Sequence, residues 1–280
     1  MKLMLLTALT MIAFAANSVL NRMGLVQAGM DPLLFGSIRL ASGAVTLAIL
    51  ALILRGGLRF GGAGRVISVL SLLLYIYGFS IAYVALDAGL GALILFGTVQ
   101  VTMFAGAVFR QEPLPPLRWL GAAIAFGGLV WLLWPRGTQP MPVLHTGLMV
   151  LAGVGWGIYS LAGQRARDAL QATAANFLLA APIGFGLGML RPVSLEVAEA
   201  SVTGVALAVS SGAITSGLGY ALWYSLLPVL GGGRAAVAQL SVPVIAIAGG
   251  ALFLSEWPDL RFLIAACIVL SGVAISLRAK

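Results

Sequence analysis

RQEPLPPLRW at residues 110–119 and LSEWPDLRFL at residues 254–263 share an arrangement: a glutamate, a proline, then an arginine before an apolar run. The chain holds only eight acidic residues, so its recurrence is informative. Glu112 and Glu256 stand 144 positions apart, a little over half of the 280 residues. That spacing predicts two copies of one unit, residues 1–136 and 137–280. Gly128 falls on Gly272 at the same offset, and FAANSVLNR (14–22) lines up with WGIYSLAGQ (156–164), placing Ser18 on Ser160.

Composition fixes what each copy is made of. Hydrophobic residues make up 61% of the chain and charged residues 9%, with a mean hydropathy of +1.07, values of an integral membrane protein. A hydrocarbon core of about 30 Å calls for roughly 20 apolar residues per helix. Ten such spans follow, at 3–21, 33–54, 66–86, 89–109, 117–134, 144–163, 172–190, 201–225, 234–254 and 260–277. The period-2 alternation of a transmembrane barrel is missing, so the fold class is an all-α membrane protein. Pro228 and the triplet Gly231, Gly232, Gly233 are expected to interrupt the chain between spans eight and nine. The start imitates a cleavable secretory signal, but its apolar character continues to Leu20 and it is read as span one. Five spans per copy is an odd number, so the second copy enters the membrane from the opposite side. Inverted repeats of this kind build secondary transporters, whose site lies between the halves near the bilayer midplane.

Basic residues set the orientation, because short cytoplasmic loops are enriched in them. With the N-terminus inside, eleven of the sixteen fall on the cytoplasmic face: Lys2, Arg55, Arg59, Arg65, Arg110, Arg118, Arg165, Arg167, Arg234, Arg278 and Lys280. Arg22, Arg39, Arg136, Arg191 and Arg261 are assigned to the outer face. Both termini are thus expected in the cytoplasm. The net charge of +8 follows from this asymmetry and implies no nucleic-acid partner.

Ten spans in two five-helix halves, DPLLFGSIR (31–39) opening span two, and the Glu–Pro element with its echo together resemble the bacterial drug/metabolite transporter superfamily, EamA type. The likeness covers essentially the whole chain, and its motifs specify family better than substrate. It implies a transporter of the bacterial inner membrane, and the aromatic content of the central helices is most like exporters of aromatic and other neutral amino acids. The small multidrug members carry an essential glutamate in their first helix. Here none lies between Leu3 and Asn21, which argues against proton-coupled export of cationic drugs.

Substrate-binding candidates are polar and aromatic side chains inside the spans. Phe14, Asn17 and Ser18 share one face of span one, and Trp156, Tyr159 and Ser160 are their counterparts in span six. Tyr75, Phe79 and Tyr83 recur at steps of four in span three; Tyr220, Trp223 and Tyr224 belong to span eight; Gln100 and Gln239 complete a ring. Amides and hydroxyls can bind a zwitterion while aromatic faces stack on its side chain. Glu112 and Glu256 are assigned a structural role, satisfying free amides at a helix start. The GxxxG patterns at 153–157 and 184–188 are assigned to packing within one subunit, so a monomer is expected. His145 and Cys267 have no companion cluster, and Cys267 reads as a small core residue. No catalytic or metal-binding motif occurs, so neither an enzyme nor a cofactor is expected. The competing classes are a multidrug or other metabolite exporter working as a proton antiporter, and a non-transporting membrane receptor.

Overall fold

The structure is a computed structural model of the 280-residue chain, and the residues described are all but 63, 112–114, 135–141, 164–165, 190–200 and 279–280. Glu112, Arg136, Arg165 and Arg191 therefore lie outside the described residues. Eleven α-helices follow in order: α1 (Lys2–Arg22), α2 (Pro32–Arg55), α3 (Arg65–Ala82), α4 (Ala88–Phe109), α5 (Pro116–Leu133), α6 (Val143–Gly163), α7 (Ala169–Met189), α8 (Val202–Ser210), α9 (Gly219–Gln239), α10 (Ser241–Leu254) and α11 (Leu260–Arg278). Two π-helical segments extend α1 (Met23–Gln27) and join α8 to α9 (Ser211–Leu218). The described residues contain no strand. Eight helical stretches are long and apolar enough to cross a membrane, α8 and the start of α9 counting as one. Two shorter apolar helices, within α10 and α11, bring the count to the ten expected.

Pro228 and the glycine triplet do not break the chain where expected. Helix α9 runs through them to Gln239, and the break falls at Leu240. Helix starts follow local chemistry instead. Asp31 caps α2, its carboxylate accepting from the Leu34 amide at 2.9 Å, with Pro32 at the first helical position. Asp259 caps α11 in the same way through the Phe262 amide. Glu256 also satisfies a helix start, but that of α4: its Oε2 accepts from the Ala88 amide at 2.7 Å. The amide this acid satisfies thus belongs to a helix far away in sequence, not to the one that follows it.

Helices pack in pairs: α5 on α11, α2 on α7, α3 and α4 on α6, and α1 on α10 and on the α8–α9 segment. Small residues set the closeness. Side chains added at Gly153 and Gly157 would meet Thr98 and Thr102 of α4, and one at Gly155 would meet the Ser71 carbonyl of α3. Helix α6 is thus wedged between two neighbours, so that GxxxG serves packing inside the chain. Lipid-facing positions carry exposed Val45, Ile49, Ile53, Ile67 and Leu70. Cys267 is among the exposed residues, not in the core as its sequence suggested, because α11 turns that face outward.

Candidate functional site

At the centre of the bundle, aromatic rings from four helices converge. Phe14 of α1 meets Trp223 and Tyr220 of α9 edge-on, both at 5.7 Å between centroids, and Trp156 of α6 at 6.4 Å. Tyr75 of α3 lies 4.9 Å from Trp156, which itself lies 4.9 Å from Tyr220. Phe14, Asn17, Ser18, Tyr75, Phe79, Leu95, Phe96, Trp156 and Tyr220 line a residual cavity of about 10 Å³. That is barely room for one water. The chamber is closed.

Polar contacts run along one wall. The Asn17 amide donates to the Tyr75 hydroxyl at 3.3 Å, while its oxygen accepts from Ser211 at 2.6 Å and Thr215 at 3.1 Å. Asn21 continues the chain, donating to Ser211 and accepting from Ser80. Ser211, Thr215 and Ser216 sit on the π-helical segment, whose wider turn presents three hydroxyls to α1 and α2. Gly212 permits this approach, since a side chain there would collide with the Arg39 carbonyl and Ser42.

Arg39 is where the structure departs most from the sequence reading. The distribution of basic residues places it on the outer face, yet it is fully buried seven residues into α2. Its Nε donates to Ser216 at 3.1 Å, its Nη2 to the Tyr75 hydroxyl at 2.9 Å, and its carbon centre lies 5.1 Å from the ring centroids of Tyr75 and of Phe79. The signal was in the sequence: a charge inside an apolar run is intramembrane, and membrane-buried charges are functional candidates.

The other candidates divide. Tyr159 backs the chamber, stacked on Trp156 at 5.6 Å, with its hydroxyl accepting from Asn176 at 3.4 Å. Trp223 backs it from the opposite side through Phe14. Tyr83 extends the row beyond Phe79, and its hydroxyl donates to the Ala88 carbonyl at 3.2 Å, so it locks the α3–α4 turn and does not line the cavity. Ser160 donates to the Trp156 carbonyl of its own helix, Tyr224 packs against Gly163, and half-buried Gln100 and Gln239 do not line the chamber.

Each end of the bundle is clasped. At one end Arg22 donates to Glu256 at 2.7 Å, to the carbonyls of Tyr83 and Val84, and to Asp87 at 3.4 Å, tying α1 to two loops. At the other, Arg55 of α2 bonds Asp168 before α7 at 2.6 Å, and Arg65 bonds Asn176 at 2.6 Å. Burial pushes the Asp168 carboxyl up, but the Arg55 hydrogen bond and the Gln171 amide outweigh it and hold it below the usual carboxylate value. A larger cavity of about 240 Å³ lies between α4, α5, α10 and α11 beside Asp87 and Glu256. Its acids are already engaged, Glu256 by Arg22 and Ala88 and Asp259 by the α11 cap. The chamber is therefore the better candidate.

The family of this ten-span bundle comes from comparison with known proteins. Residues 146–278 match the EamA-like transporter family. The chain is 43% identical to the uncharacterized protein PA1977 of Pseudomonas aeruginosa, covering 98% of this chain and 94% of that one. This chain belongs to the EamA-like transporter family. A protein crystal structure with 21% identity matches 95% of both chains with a TM-score of 0.64, which shows the same fold. The protein is thus a multi-pass membrane protein of a family that transports small molecules.

Proposed function

We propose that this protein exports small metabolites, foremost aromatic and other neutral amino acids, across a bacterial inner membrane by alternating access through the central chamber. It works as a monomer with both termini in the cytoplasm, and it is facilitative. The observation that carries the reading is the aromatic chamber, whose rings come from both halves of the chain. Phe14, Tyr75 and Phe79 come from spans one and three, and Trp156, Tyr220 and Trp223 from spans six and eight. Each aromatic contact contributes about 0.5–1.5 kcal/mol beyond its burial, so a bound aromatic side chain can replace ring contacts that opening breaks.

Packing supports two halves related by an inverted repeat. Helix α1 packs on α10 as α6 packs on α4, and α1 packs on α8–α9 as α6 packs on α3, while α2 and α5 meet their own counterparts α7 and α11. Gly128 lies against Val269, and Gly272 against Ala125, two contacts that exchange under the 144-residue offset. Arg55 at the end of α2 meets Asp168 at the start of α7, so these counterparts run antiparallel. Facilitation is supported by where the described acids sit: Asp31, Asp87, Asp168, Glu256 and Asp259 all lie at helix ends or in loops, away from the chamber. The test is counterflow of labelled amino acids in liposomes holding the purified protein, across an aromatic, aliphatic and charged panel. Preferential exchange of aromatic species without a pH gradient is expected; absence of exchange for every amino acid overturns the reading.

A further inference from the structure

A guanidinium keeps its charge in any protein environment, and burying one without a counter-ion costs several kcal/mol. Arg39 is buried completely, and among the described residues no carboxylate pairs with it. Its neighbours are neutral hydroxyls, those of Ser216 and Tyr75 as acceptors with that of Tyr220 in interaction range, and the faces of Tyr75 and Phe79. Its third nitrogen, Nη1, is buried with no acceptor at all. Natural proteins leave few buried donors in that condition, and each calls for an explanation such as a water, an ion or a ligand; Arg39 stands directly behind Tyr75 and Phe79, which line the chamber.

The Tyr75 hydroxyl tells what kind of ligand. It receives an N–H from Arg39 Nη2 at 2.9 Å and another from Asn17 Nδ2 at 3.3 Å, with the Tyr220 hydroxyl 3.5 Å away. Two converging N–H donors, one of them charged, are what a carboxylate oxygen accepts, and the free Nη1 can serve its second oxygen in the forked geometry of arginine–carboxylate pairs. Tyr75 thus occupies the anion's place while the chamber is closed. The opposite charge finds no carboxylate there, because the residues lining the chamber include no acid. The position equivalent to Arg39 at the 144-residue offset is Ile183, so the charge comes from one half only.

We infer that Arg39 is the anchor for the carboxylate of the substrate, and that the substrate class is aromatic carboxylates in general, for which an amino group is dispensable. This rests on the proposed transport through the chamber. Phenylalanine, phenyllactate and phenethylamine differ only at their polar end and make the discriminating set. In liposomes containing wild-type protein, phenyllactate is expected to inhibit counterflow of labelled phenylalanine about as well as phenylalanine itself, and phenethylamine to be at least tenfold weaker. Arg39→Met is expected to weaken inhibition by phenyllactate on the order of 10- to 100-fold, the loss of one charged hydrogen-bonded contact, with Arg39→Lys in between.

The outcomes separate the two proposals. If phenylalanine exchanges but phenethylamine competes as well as phenyllactate, or phenyllactate does not compete, the anchor is overturned and amino-acid transport stands. If phenylalanine does not exchange but labelled phenyllactate does, after subtraction of protein-free vesicles, the anchor is supported and the amino-acid reading falls. Movement of neither overturns both. Should Arg39→Met fail to fold, the wild-type competition series still decides.

Discussion

Asn17 carries more of the chamber's polar order than any other side chain, since its amide holds Tyr75 and its oxygen receives Ser211 and Thr215. Asn17→Ala frees the Ser211 hydroxyl and removes a donor from the proposed anion position. Flux is expected to fall at least tenfold while the thermal midpoint in detergent drops by only a few degrees, because Thr215 already reaches the Ser211 carbonyl at 2.7 Å and Ser211 can turn to its own helix backbone. Trp223→Ala removes a ring that touches Phe14 without lining the cavity, and should lower flux severalfold. Normal flux in both variants would place the substrate path elsewhere. Asn17 was legible because Phe14, Asn17, Ser18 and Asn21 share a helical face in a span otherwise apolar. Arg39 was not, because assigning basic residues to loops by counting passes over one that lies inside a span. Tyr83 was overread for a related reason: periodicity shows that three aromatics share a face, but not which of them lies level with the chamber.

Helix ends and helix crossings carry the next level of control. Glu256 holds both Arg22 and the first amide of α4, so Glu256→Gln keeps the cap but removes the charge facing Arg22. Paired spin labels at exposed Val26 and Trp257 should report a broader and longer distance distribution in that variant; an unchanged distribution would mean that the clasp does not hold this end shut. The Arg55–Asp168 link responds to acid in a direction that its environment sets. Its folded carboxyl is depressed, so its stabilising contribution is present above the ordinary value of 3.8 and is lost as the pH falls through the still lower folded value. Asp168→Asn should therefore reproduce at neutral pH the loosening that wild type shows only in strong acid, read by labelling of a cysteine placed on α7 near this end. The link is partly exposed, and the effect is expected to be below about 1 kcal/mol. Gly212→Val should fail more completely, because the backbone of α2 stands where the new side chain would go. Purification of that variant with wild-type yield and melting behaviour would remove the close crossing. None of these crossings was readable beforehand: SSGAITSG looks like one more small, apolar stretch, and nothing in it marks the π-helical segment that packs against α1 and α2.

Over the whole molecule, the ten spans were legible because each is a long apolar run, and Gly128 and Gly272 stood out at the 144-residue offset, but which helices pack together was not. The interruption expected at Pro228 was not found, since glycine and proline punctuate loops in water more strictly than they do within a bundle, where neighbouring helices and local adjustments re-satisfy the backbone. Energetics at this scale depends on charge carried across the membrane in a full cycle. Arg39 returns to its starting place each time, so only the substrate's own charge counts. A zwitterion carries none, and labelled phenylalanine should equilibrate to equal concentrations whatever the voltage. Phenyllactate carries one negative charge, for which 100 mV is worth about 2.3 kcal/mol, or roughly 50-fold in the equilibrium ratio. In liposomes with a potassium diffusion potential set by valinomycin, phenyllactate should therefore accumulate on the positive side while phenylalanine does not, and an uncoupler should leave both distributions unchanged. Voltage-driven accumulation of phenylalanine, or a phenyllactate distribution that follows an imposed pH gradient beyond the leak of protein-free vesicles, would mean that a proton or another ion moves with the substrate and that facilitation is the wrong mechanism.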